Sequence, residues 1–159
     1  MPATPTPTET TAPFMLLQGR VESRRVLRPA PDGPRMEISF SAALASARLG
    51  PGSAACSFIG HLGPDGHYQW QGRGALFLGA GTVSTRSRGQ GQRRGNTIVY
   101  QGAMVFRSHA SALQWIDGLQ ASFEYVQDLA SLDVTVRCEE ASAAETAHPS
   151  TPQKGPSPC

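Results

Sequence analysis

Apolar and polar positions alternate with period two along most of this chain, and glycine is what most often interrupts them. In Tyr68–Leu78, Tyr68 and Trp70 share one side while Gln69 and Gln71 take the other, the signature of a half-buried strand. Thr97–Phe106 (TIVYQGAMVF) repeats the pattern with Gly102 in its middle. In Arg35–Ser46, Met36, Ile38 and Phe40 oppose Glu37, Ser39 and Ser41; in Leu132–Glu140, Leu132, Val134, Val136 and Cys138 oppose Asp133, Thr135, Arg137 and Glu139. Phe14–Leu27, Ala55–Leu62 and Leu119–Gln127 are the remaining strand candidates. PAPDGP at 29–34 and GPDG at 63–66 carry the Asp-Gly pair that favours hairpin turns. Ser108–Asp117 breaks the alternation. There Ser108 or Ser111 can cap a short helix, Leu113 and Ile116 fall three apart, and Gly118 can end it.

Glycines inside strand patterns mark bulges, bends or close backbone approaches. Gly19, read as a kink, together with Gly72, Gly74 and Gly102, therefore favours a sheet that curls shut. The expected fold is all-β: a small antiparallel β-barrel of about 7–8 strands with one short helix and disordered termini. Ser84–Asn96 holds four arginines, three glycines and almost nothing apolar. It reads as a mobile hairpin loop without a core of its own.

Composition trims the domain. Residues 1–12 and 141–159 are rich in proline, threonine, serine and alanine and poor in large apolar side chains. Such segments do not bury enough surface to offset the entropy of ordering. Both are expected to be disordered tails around a β-barrel domain at 13–140. The beginning has neither a basic region nor an apolar run of the secretory kind, and no apolar run approaches the roughly 20 residues that span a bilayer. Cys56, Cys138 and Cys159 are odd in number and far apart, which argues against a disulfide framework and gives no metal-ligand spacing. A cytoplasmic protein without cofactor or metal is the default expectation. Net charge is +2, yet the charges segregate. Gly66–Ile116 has six arginines and no acid, whereas Asp117–Glu145 has seven acids and Arg137. Solvated surface charge, self-association and capture of an anion are all compatible with that division.

No catalytic signature is present: no G-x-S-x-G, H-E-x-x-H, C-x-x-C or phosphate loop. Gly72-Arg73-Gly74 begins like a dinucleotide fingerprint but lies within a strand and precedes no helix. His61, Asp65 and His67 cluster around a hairpin turn, where solvation alone accounts for polar residues. Glu124, between Phe123 and Tyr125, is the candidate catalytic group. Facing inward, its carboxyl would have a raised pKa suited to acid–base work; facing outward, it is surface charge. Phe123 and Tyr125 have the stronger claim to the interior, so the outward position is expected. Tyr68, Trp70, Tyr100, Phe106, Phe123 and Tyr125 form the aromatic set, serving as core fill and as the lining of a pocket for a flat ligand. Arg86, Arg88, Arg93 and Arg94 are the candidates for contacting an anionic group or nucleic acid.

On these residues the chain from about Val26 to Glu140 resembles a family of small uncharacterised bacterial proteins. The likeness lies in Trp70-Gln71-Gly72-Arg73-Gly74, in Tyr100–Ser108 with Gly102 and Phe106, and in Phe123-Glu124-Tyr125. The family brings no activity with it. By shape it is similar to calycin-like and allene-oxide-cyclase-like barrels, which implies a lumen that holds, or cyclises, a small apolar molecule. The segment at 84–96 is longer than that pattern leads one to expect. Three functions follow as expectations. The first is a barrel binding a small apolar or aromatic molecule, with cyclase or isomerase chemistry as its extension. The second is a non-catalytic, self-associating module, and the third is nucleic-acid binding through 84–96.

Overall fold

The structure, a computed structural model, describes residues 12–141. The sequence-based expectations of disordered tails, and Cys159, lie outside the described residues apart from the few positions at their inner edges. Eight strands follow in order: β1 (Met15–Arg28), β2 (Arg35–Ala45), β3 (Gly52–Leu62), β4 (His67–Leu78), β5 (Gly81–Arg94), β6 (Thr97–Arg107), β7 (Gln120–Asp128) and β8 (Asp133–Glu140). Each pairs antiparallel with the next, and β1 pairs with β8, so the sheet is a closed up-and-down barrel. Closure leaves no free strand edge.

The expected loop is overturned. Ser84–Asn96 is no mobile loop: most of it is β5, which pairs with β4 from His67 to Leu78 and with β6 from Thr97 to Arg107. Its inward positions are Val83, Thr85, Ser87, Gly89 and Gly91, mostly small or polar. Hydropathy sees no strand there because large rings from neighbouring strands fill the space in front of it.

Cross-strand pairing shows how that filling works. Trp70 is flanked by Gly60 and Gly89, Gly91 by Tyr68 and Tyr100, Gly72 by Phe58, and Gly102 by Phe123. A Cβ on Gly60 would overlap the Trp70 ring, and one on Gly91 would overlap Tyr100. Gly89 lies so that an added Cβ would stand 3.1 Å from Phe123 Cζ. These glycines are not bulges, for the registers run through them unbroken. They mark close approach, the third of the readings open to a strand glycine. The bulges fall instead in β1, between Val21 and Ser23 and between Val26 and Arg28.

The two ends of the barrel differ. At one end a 3-10 helix, η1 (Ser111–Ile116), presses buried Leu113 and Ile116 onto the interior. Ala110, not a serine, takes its N-cap position and no side chain caps it; Ser108 Oγ instead donates to the Thr82 carbonyl (3.0 Å). Phe14 meets Phe106 edge-on at 5.7 Å, and the Arg48 guanidinium lies 4.2 Å from the Trp115 ring while pairing with Glu140. The other end is framed by the β1–β2, β3–β4, β5–β6 and β7–β8 turns. Left-handed Gly33, Gly66 and Gly95 shape three of these, and Asp128 accepts two backbone N–H bonds of 2.8 Å in the fourth.

Gly102→Ala tests this packing. Its Cβ would run into the Arg88 carbonyl and Gly89 Cα, both backbone, so a strand must move. We expect a loss of about 1–3 kcal/mol and a fall in Tm of several degrees. Gly79→Ala, where nothing stands within 4 Å, is expected to leave Tm unchanged; thermal unfolding of the two variants makes the comparison.

Candidate functional site

Inside the barrel the rings form a connected column. Phe40 stacks on Phe58 (5.7 Å), Phe58 meets Tyr125 edge-on (5.3 Å), Tyr125 leans on Tyr100 (5.3 Å), and Tyr100 touches Trp70 (5.2 Å) and Tyr68 (6.0 Å). Contacts of this kind contribute about 0.5–1.5 kcal/mol each beyond the area they bury. On the side away from η1 the column stops short and leaves a cavity of about 170 Å³. Tyr68, Trp70 and Tyr100 form its aromatic wall, Met36, Ile38, Leu62, Ile98 and Leu129 its aliphatic wall, and Gln127, Arg24 and Arg93 its polar contribution. An apolar cavity of about 150 Å³ holds a benzene ring, so this space suits one ring with small substituents.

Of the six aromatics singled out from sequence, three line the cavity and Tyr125 backs it. Phe106 sits at the opposite, sealed end against Phe14. Phe123 is buried against Gly89 and Gly102 and has no place in the cavity wall. The arginines divide as well. Arg86, Arg88 and Arg94 lie on the outer side of β5, and only Arg93 falls in phase with the interior at the rim. Arg86 stands directly opposite Arg73 of β4 on the outer surface.

Glu124 is exposed on the outside of β7, where Gln101 Nε2 donates to it (2.8 Å). It borders a broad open depression of about 340 Å³ lined also by Ser122, Arg137 and Glu139. The inward carboxyl that acid–base chemistry in the lumen would have required is therefore not Glu124; the period-two phase gives the interior to Phe123 and Tyr125. His61 Nε2 lies 3.4 Å from Asp32 Oδ2, while Asp65 Oδ1 accepts the His67 backbone N–H (3.1 Å).

Two cavity residues were missed in the sequence. Gln127 is fully buried, in phase with Phe123 and Tyr125, and its Oε1 accepts from the Tyr125 hydroxyl (2.9 Å). A polar residue on the apolar side of an alternating strand is the signal that could have found it. Arg24 reaches the lumen side only because the bulge at Glu22 shifts the phase of β1, pairing Val21 with Phe40 but Arg24 with Ile38.

Electrostatically the interior holds its protons. Burial raises the Tyr100 hydroxyl, reinforced by the Tyr125 and Tyr68 hydroxyls and partly opposed by the nearby Trp70 N–H. Burial likewise raises Tyr125, with Cys56 adding to it, and pushes the Cys56 and Cys138 thiols up to about 12. Taking a charged form out of water costs more than a neutral one.

The described residues thus define a closed eight-stranded antiparallel barrel, sealed at one end and hollow near the other. No protein-family model matches the chain, and no curated protein does. Among solved structures it is similar to a protein of unknown function from Clostridium acetobutylicum, with TM-score 0.67, 14% identity, and 82% of this chain and 97% of that one covered. It is similar also to a conserved protein of unknown function from Rhodopseudomonas palustris, with TM-score 0.65, 14% identity, and 84% and 97% covered. At that identity the likeness is one of fold, and the fold is a scaffold for many activities. No helix among the described residues is long and apolar enough to cross a membrane.

These raised pKa values set an alkaline limit. A thiol or phenol that ionises near 9.0 or 10.0 when unfolded, but higher when folded, stabilises the fold fully below those values. That stability drains away as pH climbs toward the folded pKa. Tm should hold level through neutral pH and drop above about pH 9. Phenolate absorbance at 295 nm from Tyr100 and Tyr125 should appear together with loss of the far-ultraviolet strand signal; both tyrosines ionising in an intact barrel would contradict the burial assigned here.

Proposed function

We propose that the protein is a binding barrel whose open end holds a small, largely apolar molecule about one ring in size. The observation that carries this reading is the 170 Å³ space between the aromatic column and the turns. Tyr68, Trp70 and Tyr100 offer it ring faces and edges, and Leu62 and Leu129 stand among its aliphatic wall. Protein interiors are otherwise packed with few voids larger than a water molecule. A space of this kind, walled by rings and touching a few polar groups, is what a small-molecule site needs. Binding is favoured over cyclase or isomerase chemistry because the lining has neither carboxylate nor histidine, and its Tyr100 hydroxyl keeps its proton at neutral pH.

The outer row of Arg73, Arg86 and Arg88 supports a second reading, capture of a polyanion such as a nucleic acid. Arg73 and Arg86 face one another across the ladder, and like charges so placed are destabilising until an anion joins them. Affinity for an oligonucleotide that falls steeply with added salt, and is weakened by Arg86→Gln, would carry it.

For the favoured reading, Leu62→Phe adds volume to the cavity wall at the end of β3 while leaving the aromatic column in place. With acetophenone as the probe, the unaltered protein should move the Trp70 indole resonance in proton–nitrogen spectra. The variant should bind about tenfold more weakly or worse at unchanged Tm. Equal shifts in both proteins would remove the lumen as the binding place.

A further inference from the structure

Three polar groups from residues of the cavity wall, Trp70 Nε1, Tyr100 Oη and Gln127 Nε2, make no well-formed hydrogen bond within the protein, the indole N–H only approaching the phenol oxygen. All three side chains are at least nine-tenths buried, with relative exposures of 4%, 4% and 0%. Their chemistry is lopsided. The indole has only a donor, the amide nitrogen two, and the phenol one alongside its lone pairs. Gln127 Oε1 already accepts the Tyr125 hydrogen, which leaves it a single lone pair to set against them. Even if the phenol oxygen accepts from one neighbour, more hydrogens than lone pairs remain. Leaving such buried groups unsatisfied is costly, so the deep part of the cavity calls for an acceptor.

The rim asks for something else. Arg24 and Arg93 border the same cavity from β1 and β5, and no carboxylate joins them in its lining. Arg93 uses Nε on the Gly95 carbonyl (2.8 Å), leaving its terminal nitrogens for other partners. Two guanidiniums at the mouth of a low-dielectric space favour an anion there. An anion would not settle at the deep donors, because an ionised carboxylate is far costlier to bury than a neutral oxygen.

Resting on the lumen-binding reading above, we infer that the ligand class is a one-ring organic acid with a second, uncharged oxygen at its far end. Its carboxylate lies against Arg24 and Arg93, its ring between the aromatic and aliphatic walls, and its carbonyl-type oxygen accepts from Trp70, Tyr100 and Gln127. The protein discriminates by both ends: an acid lacking the far oxygen leaves the buried donors unmet, and a neutral ketone forgoes the arginines.

The test compares three probes on the full chain by calorimetry: 4-acetylbenzoate, benzoate without the far oxygen, and acetophenone without the charge. We expect 4-acetylbenzoate to bind about tenfold more tightly than either. Its advantage over acetophenone should vanish in Arg24→Gln/Arg93→Gln, and its advantage over benzoate should shrink in Gln127→Met. Because the ligand comparison needs no variant, a variant that fails to fold does not spoil it. If the three probes bind alike, the inference falls while the lumen-binding reading stands, the donors then being satisfied by water. If none binds, both fall.

Discussion

The packing of large rings onto glycines in the adjacent strands governs this molecule. A closed barrel of eight strands has an interior just wide enough to be filled by its own side chains. Here a few large rings do most of that filling, and several of them stand beside a residue without a Cβ. Gly60 and Gly89 flank Trp70, Gly91 makes room for Tyr100, and Gly72 lies beside Phe58. Rings and glycines are therefore one device. The rings supply buried area and edge-to-face contact, and the glycines let strands pass close enough for the sheet to curl and close.

The site follows from where that device stops. Toward η1 the interior is completed by Phe106, Leu113 and Ile116 beneath Phe14, so that end has no room to spare. Toward the hairpin turns the column ends at Tyr68, Trp70 and Tyr100, and what comes next is space. A single extra residue in β1 then turns Arg24 toward that space, and the alternation of β5 brings Arg93 to the same rim. Polar groups that would be misplaced in a filled core, Gln127 above all, become intelligible as contacts for something that enters.

Much of this was legible in the chain. β2, β4, β6 and β8 announce themselves because one side of each carries large apolar residues and the other polar ones. β5 did not, because its inner side is made mostly of Thr85, Ser87, Gly89 and Gly91, and three of its four arginines, Arg86, Arg88 and Arg94, face outward. Its interior volume is contributed by other strands, so no reading of β5 alone reveals it. The aromatic set was right as core, but chain position could not divide Tyr68, Trp70 and Tyr100 at the cavity from Phe106 at the sealed end. That division depends on the direction of each strand and the length of the barrel. Arg24 was hidden for a different reason: a bulge changes phase without changing composition.

Native mass spectrometry of the full chain purified from its own host tests the account most directly. It predicts one bound species with the mass of a single small organic acid, released on gentle activation and missing from the Leu62→Phe chain. A bare chain mass in both proteins, or an adduct that the substitution leaves untouched, would contradict a barrel built to leave this space for a ligand.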